Sequence, residues 1–292
     1  MAKIADFRCT YDHAVGFGSW ISKEHEIQFP QAYREAEMMV RLAKAVRHHH
    51  QTVSCHLPFC HTLEAEALGG NIRLGDGLAG PRAGKYACHS LEEVLKLPKM
   101  DMESVQAKRL NETLKACRKL KDEGESVIFI VSGPLTILGG LVESEQVFRS
   151  FLKQRDLMGQ VLEKLSADIL IVMKAAEEAG ADLISYADPA GGVNLVGPKV
   201  AEWIAKTVTV PLLKAADQML ADDMTILLCP KTAFALIGTE TAVWKDCELP
   251  EPMEYIQAVL YMKKQVRLAG QDCMNHVGSR LENCKLKALR LI

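Results

Sequence analysis

Apolar and polar positions divide the chain into strand-like and helix-like runs. Residues 127–132 (VIFIVS) are continuously apolar until the final serine, the pattern of a strand buried on both faces of a parallel sheet. Residues 182–186, 209–213 and 224–228 read as further strands, residues 52–57 as a β-branched one, and residues 270–273 as a short last one. Helical patterns fill the intervals. Behind Pro30, residues 31–50 carry Tyr33, Ala36, Met39, Val40, Ala43 and Val46 at helical spacing. Thr62, followed by Glu64 and Glu66, predicts a capped helix start that Gly69-Gly70 would close. Ser90 with Glu92 and Glu93 predicts a short helix ending before Pro98. Residues 103–122 set Val105, Leu110, Leu114, Cys117 and Leu120 on one side, with Gly124 as the stop. Further helices are expected as a pair over 144–179, then over 198–207, 217–221 and 251–268, and NCKLKALRLI reads as a basic tail.

Strand, helix, strand, helix in that order predicts a parallel sheet with right-handed crossovers. About seven strand candidates favour a (β/α)8 TIM barrel, distorted or with one β/α unit shortened; an open doubly wound sheet is the alternative. No internal repeat or long linker divides the 292 residues. A single barrel domain over 1–292 is therefore expected, with 1–50 as an N-terminal helical extension.

Composition narrows the function classes. Hydrophobic residues make up 48% of the chain, ample for a large core. With 35 basic and 37 acidic residues the net charge is −2, which gives no electrostatic reason to expect nucleic acid or an anionic membrane as partner. No apolar run approaches the roughly 18 residues that span a bilayer, and the opening MAKIADFRCTYDH does not read as a signal peptide. Nine scattered cysteines, an odd count, argue against a disulfide framework and for a reducing cytoplasm. Some would pack as small apolar residues; a few would serve metal or thiolate chemistry.

Candidate chemistry gathers at strand ends. In MTILLCPKT, residues 224–232, the strand delivers Cys229 and stops at Pro230, which has no N–H for a ladder. If the strands close into a barrel, their C-terminal ends share one face, where His56, Gly133, Tyr186, Asp188, Cys229 and Cys273 would stand. Two cysteines from separate strand ends make a candidate metal pair, although packing as buried apolar residues is the ordinary role for each. His56, Cys60, His61, Glu64 and Glu66 lie close together and all have metal-ligating side chains; a capped, solvated first turn with one buried cysteine explains them equally well. The run His48-His49-His50 fits cations placed at a helix C-terminus better than a metal site. The glycine-rich stretch 75–84 lacks the spacing and the Lys-Ser/Thr of a phosphate loop.

Five motifs, in order, carry a resemblance. PFCHTLEAEALGG followed by GPR and a SLEEV helix, then SGPLTILGGLVE, YADPAGG and LLCPKT, resemble the uroporphyrinogen decarboxylase superfamily. Within it the chain is most similar to the corrinoid-dependent methyltransferase branch, typified by methylcobalamin:coenzyme M methyltransferases. The resemblance implies a (β/α)8 barrel with its site at the C-terminal mouth. It implies transfer of a methyl group between a corrinoid, free cobalamin or one carried by a partner corrinoid protein, and a small thiol or other methyl donor or acceptor. It also implies zinc, held by a His-x-Cys pair after a late strand and by a second cysteine near the C-terminus. Cys229 falls on the cysteine of the pair and Cys273 is the candidate for the second. The histidine position falls on Leu227, which cannot bind metal, so the third ligand is sought at His276 or Glu64, with Glu66, His56 and Cys60 as further choices. On this reading Asp188 and Glu66 are candidate catalytic groups, and His56, Cys60, Gly133, Tyr186 and Lys231 candidate substrate contacts. The segment between Cys229 and Cys273 is short for this branch, which implies a missing β/α unit. Two alternatives stay open: a decarboxylase-like lyase using Asp188, though the N-terminus lacks the expected arginine-rich segment, and a metal-free barrel acting as a binding or partner subunit, which Leu227 favours.

Overall fold

The computed structural model describes Phe17, Ile21 and residues 25–292; most of the proposed N-terminal extension before Pro30 lies outside the described residues. Seven strands form the central sheet: β1 (Cys55–Leu57), β2 (Val127–Ser132), β3 (Leu183–Ala187), β4 (Thr225–Leu228), β5 (Ala242–Glu248), β6 (Leu268–Ala269) and β7 (Lys285–Leu291). Their order in the sheet is β1-β2-β3-β4-β6-β7-β5. From β1 to β6 every neighbour is parallel, whereas β7 runs antiparallel to both β6 and β5. The fold is thus a distorted α/β barrel. Its parallel half follows the β/α rule and its C-terminal half is completed by an antiparallel pair. Among the described residues no ladder joins β5 back to β1.

Register fixes which side chains face inward. Ile128 pairs with Leu183, Ser185 with Leu227, Leu227 with Ala269, and Ala269 with Ala288. Ile128, Leu183, Leu227, Ala269, Leu286 and Ala288 form one buried cluster with Tyr255, Ala258, Val259 and Met262 of the helix Tyr255–Met262. That helix fills the inner face of the sheet. Alternate residues point the other way: Phe129, Val131, Ile184, Tyr186, Ile226, Leu228 and Leu289 pack into the larger helix–sheet core. That core includes Leu110, Leu114 and Cys117 from α3 (Lys108–Asp122), and Val161, Leu165 and Val172 from the helix Arg155–Glu178, behind α1 (Ala36–His50) and α2 (Leu63–Ala67).

Several expectations are corrected. Residues 209–213 are helical, not a strand. Pro198–Ile204, a π-helical turn over Ala205–Thr209 and Val210–Met219 run on as one helical stretch. The β-branched Val208 and Val210 are buried in it beside Leu212 and Leu213, so tertiary packing overrides strand propensity. Pro211 sits in the first turn after the π turn, where a missing N–H costs least. The helix expected over 251–268 is confined to Tyr255–Met262, and residues 270–273 lie in the loop after β6 instead of forming a strand. The basic tail is strand β7, whose Leu286 and Ala288 are buried between Lys285 and Lys287. Thr62 occupies the position before α2, but its hydroxyl makes no cap bond. Ser90 does cap its helix, accepting from the Glu93 N–H at 3.3 Å.

Candidate functional site

A cavity of about 150 Å³ opens over the C-terminal ends of the parallel strands. Ile130 of β2, Ser185 and Ala187 of β3, and Leu227 of β4 line it from the inner face. Cys229 lines it two residues beyond Leu227, on the same side by the two-residue period of a strand. Lys231 enters from the first turn of the helix Pro230–Gly238, His61 from the loop between β1 and α2, and Cys273, Met274 and Asn275 from the loop after β6. Loops at strand C-termini thus bring four chemistry-bearing side chains, His61, Cys229, Lys231 and Cys273, around one space.

The donor set suits zinc: two thiols and an imidazole are the side chains that ion prefers. Among the described residues, however, no three His, Cys, Asp or Glu side chains stand assembled as a ready metal site. Leu227, 1% exposed, occupies the inward position where a third donor would have been adjacent to Cys229.

The other expected site residues lie elsewhere or do other work. Asp188 is buried, and its carboxylate accepts the N–H groups of Leu135 (3.2 Å) and Thr136 (2.8 Å) and the Thr136 hydroxyl (2.7 Å) at the start of the helix Pro134–Leu141. It lines a smaller neighbouring cavity with Gly192, Thr209 and Lys231, not the one with the cysteines. Burial raises its pKa above the ordinary carboxylate value, against the pull of those three donors. Gly133 has no side chain to offer and is packed against Asp188: a Cβ there would stand 2.2 Å from the Asp188 Cβ. Tyr186 faces outward into the helix–sheet core, because the inward positions of β3 are Ser185 and Ala187.

Glu66 borders a separate cleft of about 620 Å³, lined also by Arg34, Lys108 and Glu112, and pairs there with Arg109. Cys60 is buried beneath the same guanidinium, accepting from Arg109 Nη1 at 3.3 Å and from the Thr62 hydroxyl at 3.2 Å. Glu64 is buried and accepts the Ser132 N–H at 2.8 Å; burial pushes its pKa up. His56 points inward from β1 into a third cavity, shared with Tyr255, Met274 and His276. Its Nε2 lies 3.2 Å from the Ser54 hydroxyl, and burial pushes its pKa down to about 4 against a hydrogen bond that the ring makes to the Asn275 side chain. His276 is exposed and paired with Asp272 at 3.1 Å. Cys55, Cys88 and Cys117 are buried as small apolar residues, and burial raises Cys55 and Cys117 to about 12.

A mostly parallel α/β barrel with a largely apolar, thiol-bearing cavity at its strand C-termini defines an enzyme-like class of fold and site. A profile of the uroporphyrinogen decarboxylase (URO-D) family matches residues 21–239, and the chain belongs to that family. It is 27% identical over 173 residues to the methylcobamide:CoM methyltransferase MtaA of Methanosarcina barkeri, covering 58% of this chain and 50% of that one. It is 28% identical over 212 residues to the methylcobamide:CoM methyltransferase MtbA of Methanosarcina mazei, covering 71% of this chain and 61% of that one. The chain therefore spans about half to three-fifths of the length of these relatives. A solved methyltransferase from Methanosarcina mazei superposes with a TM-score of 0.62 at 20% identity, covering 77% of this chain and 67% of that one, a likeness of fold. Among the described residues no helix is long and apolar enough to cross a membrane.

Proposed function

We propose that the chain is a zinc-assisted methyltransferase that moves a methyl group between a corrinoid, free or carried by a partner protein, and a small thiol or other methyl donor or acceptor. The observation that carries this reading is that Cys229, at the end of β4, and Cys273, in the loop after β6, border one cavity at the mouth of the barrel. The relatedness to methylcobamide:CoM methyltransferases supports the reaction class.

Cys229 and Cys273 would hold the zinc. Bound there, zinc keeps a coordinated thiol deprotonated at neutral pH, where an ordinary thiol is mostly protonated. Lys231 places a positive charge at the cavity wall, suited to an anionic group on the small substrate. Ile130, Leu227 and Met274 supply an apolar lining that excludes water and strengthens each charge interaction. Asp188 and Gly133 shape the neighbouring wall instead of meeting substrate.

Zinc content of the purified protein, measured with methyl transfer from methylcobalamin to a small thiol, tests the reading. Stoichiometric zinc, lost in Cys229→Ala and Cys273→Ala together with activity, supports it. A protein that transfers methyl groups without metal rejects the zinc role. A protein that binds no zinc and shows no transfer overturns the reading and leaves the metal-free binding or partner subunit that Leu227 favours.

A further inference from the structure

Resting on that zinc-assisted reading, we propose that His61 is the third protein ligand of the zinc, supplied by the loop after β1 in place of a histidine at position 227. Leu227 holds the inward position beside Cys229 and has no donor atom. A zinc site with an open position for chemistry needs three protein ligands, so one must come from another element. The alternatives are engaged or misplaced. His276 borders a different cavity and pairs with Asp272. Glu64 holds the Ser132 N–H, and Glu66 is paired with Arg109 in the large cleft.

Among the described residues, His61 is the histidine that borders the same cavity as Cys229 and Cys273. Its Nδ1 lies 3.4 Å from the Ser132 hydroxyl, and Ser132 is itself fixed through its N–H by the buried Glu64. A contact of this kind on one ring nitrogen orients a metal-bound imidazole through the nitrogen that does not bind the metal. The residues on either side of His61 are also fixed: Arg109 bonds Cys60 and Thr62. The three donors line the cavity without being assembled, so ion binding must draw them inward.

Zinc affinity and the zinc X-ray absorption first shell, measured on the full chain and its variants, test the proposal without recourse to activity. Wild type is expected to show two sulfur ligands and an imidazole. Outer partners of metal ligands carry roughly 10–100-fold in affinity, so His61→Ala should weaken zinc at least about 100-fold and remove the imidazole signature. The double variant His61→Ala/Leu227→His should restore an imidazole to the shell. His61→Gln, closer in shape, serves in the same way if the alanine variant does not fold. Zinc binding of wild-type affinity and unchanged first shell in either His61 variant overturns the proposal and leaves the methyltransferase reading standing. A wild-type chain that takes up no zinc overturns both.

Discussion

Asp188 and Thr136 are joined twice across two elements: one carboxylate oxygen accepts both the Thr136 N–H, at 2.8 Å, and the Thr136 hydroxyl, at 2.7 Å. Asp188 follows β3, whereas Thr136 lies in the first turn of Pro134–Leu141, so the helix receives its cap from outside its own sequence. Removing the acceptor strands several donors at a buried place. Asp188→Ala should cost about 2–3 kcal/mol, and Asp188→Asn, which keeps one acceptor oxygen, clearly less. Urea unfolding measures both. Loss of the proposed methyl transfer in Asp188→Asn at unchanged stability would contradict a purely capping role and assign the carboxylate to the reaction.

Gly133 makes the same junction sensitive to a single methyl group. A Cβ at that position meets the Asp188 side chain at 2.2 Å. Gly133→Ala should destabilise by about 1–3 kcal/mol through overpacking. Because the nearest atom is the Asp188 Cβ, the cost should be smaller in an Asp188→Gly background, which removes that atom, than in an Asp188→Ala background, which keeps it. Additive losses in the double-mutant cycle would show that the two positions do not share this contact.

Strands β2 and β4 of the parallel half were legible because each is an apolar run closed by a strong stop, Ser132 before Gly133-Pro134 and Cys229 before Pro230, whereas the two-residue β6 was too short to separate from the helix expected over 251–268. β7 was legible in principle, since Lys285, Leu286, Lys287 and Ala288 alternate strictly, but positive charge masked a period of two. β5 gave little signal, because most of its side chains face solvent. At the site, Cys229 could be placed from its strand end, whereas Cys273 reaches the cavity from the loop after β6 and not from the strand expected over 270–273. Tyr186 could not, because its direction depends on phase: with Ser185 and Ala187 inward, it must point outward. The engagement of Glu66 and Cys60 by Arg109 joins positions distant in sequence, which no local pattern reveals.

His56 should make stability fall on the acid side. Burial holds its folded pKa at about 4, below the ordinary 6.5. The unfolded chain therefore takes up the proton first as pH drops. The stability associated with neutral His56 is intact above pH 6.5 and is lost progressively down to about pH 4. The loss should be on the order of 1–3 kcal/mol across that window. Unfolding free energies of wild type and His56→Asn at a series of pH values measure it: the variant's curve should be flatter between those limits. Parallel curves would mean that His56 is solvated in the folded state.

Tyr186→Phe should leave the proposed methyl transfer unchanged. The ring is buried in the outer core, and among the described residues its hydroxyl has no hydrogen-bond partner of good geometry. Deleting an unsatisfied hydroxyl should change stability by no more than about 1 kcal/mol, in either direction. A large fall in activity with an unchanged unfolding midpoint would place the phenol at the reacting centre and contradict the outward register of β3.

Arg109 links the core to the metal proposal. Its side chain, 5% exposed, reaches from α3 to the loop after β1, where Nη1 meets Cys60 at 3.3 Å, Nη2 meets Thr62 at 2.8 Å, and Nε pairs with Glu66. Cys60 and Thr62 flank His61, so this one guanidinium sets the path of the backbone that presents the imidazole. Arg109→Met leaves Glu66 without its cation and should cost about 3 kcal/mol. Arg109→Lys keeps the charge but not the fork, and should recover part of that stability without recovering the loop geometry. If the loop geometry matters to the ion, both variants should bind zinc roughly 10-fold more weakly while Cys229 and Cys273 stay in the first shell. Zinc affinity that stays at the wild-type level in both variants, as stability falls, would confine Arg109 to the core.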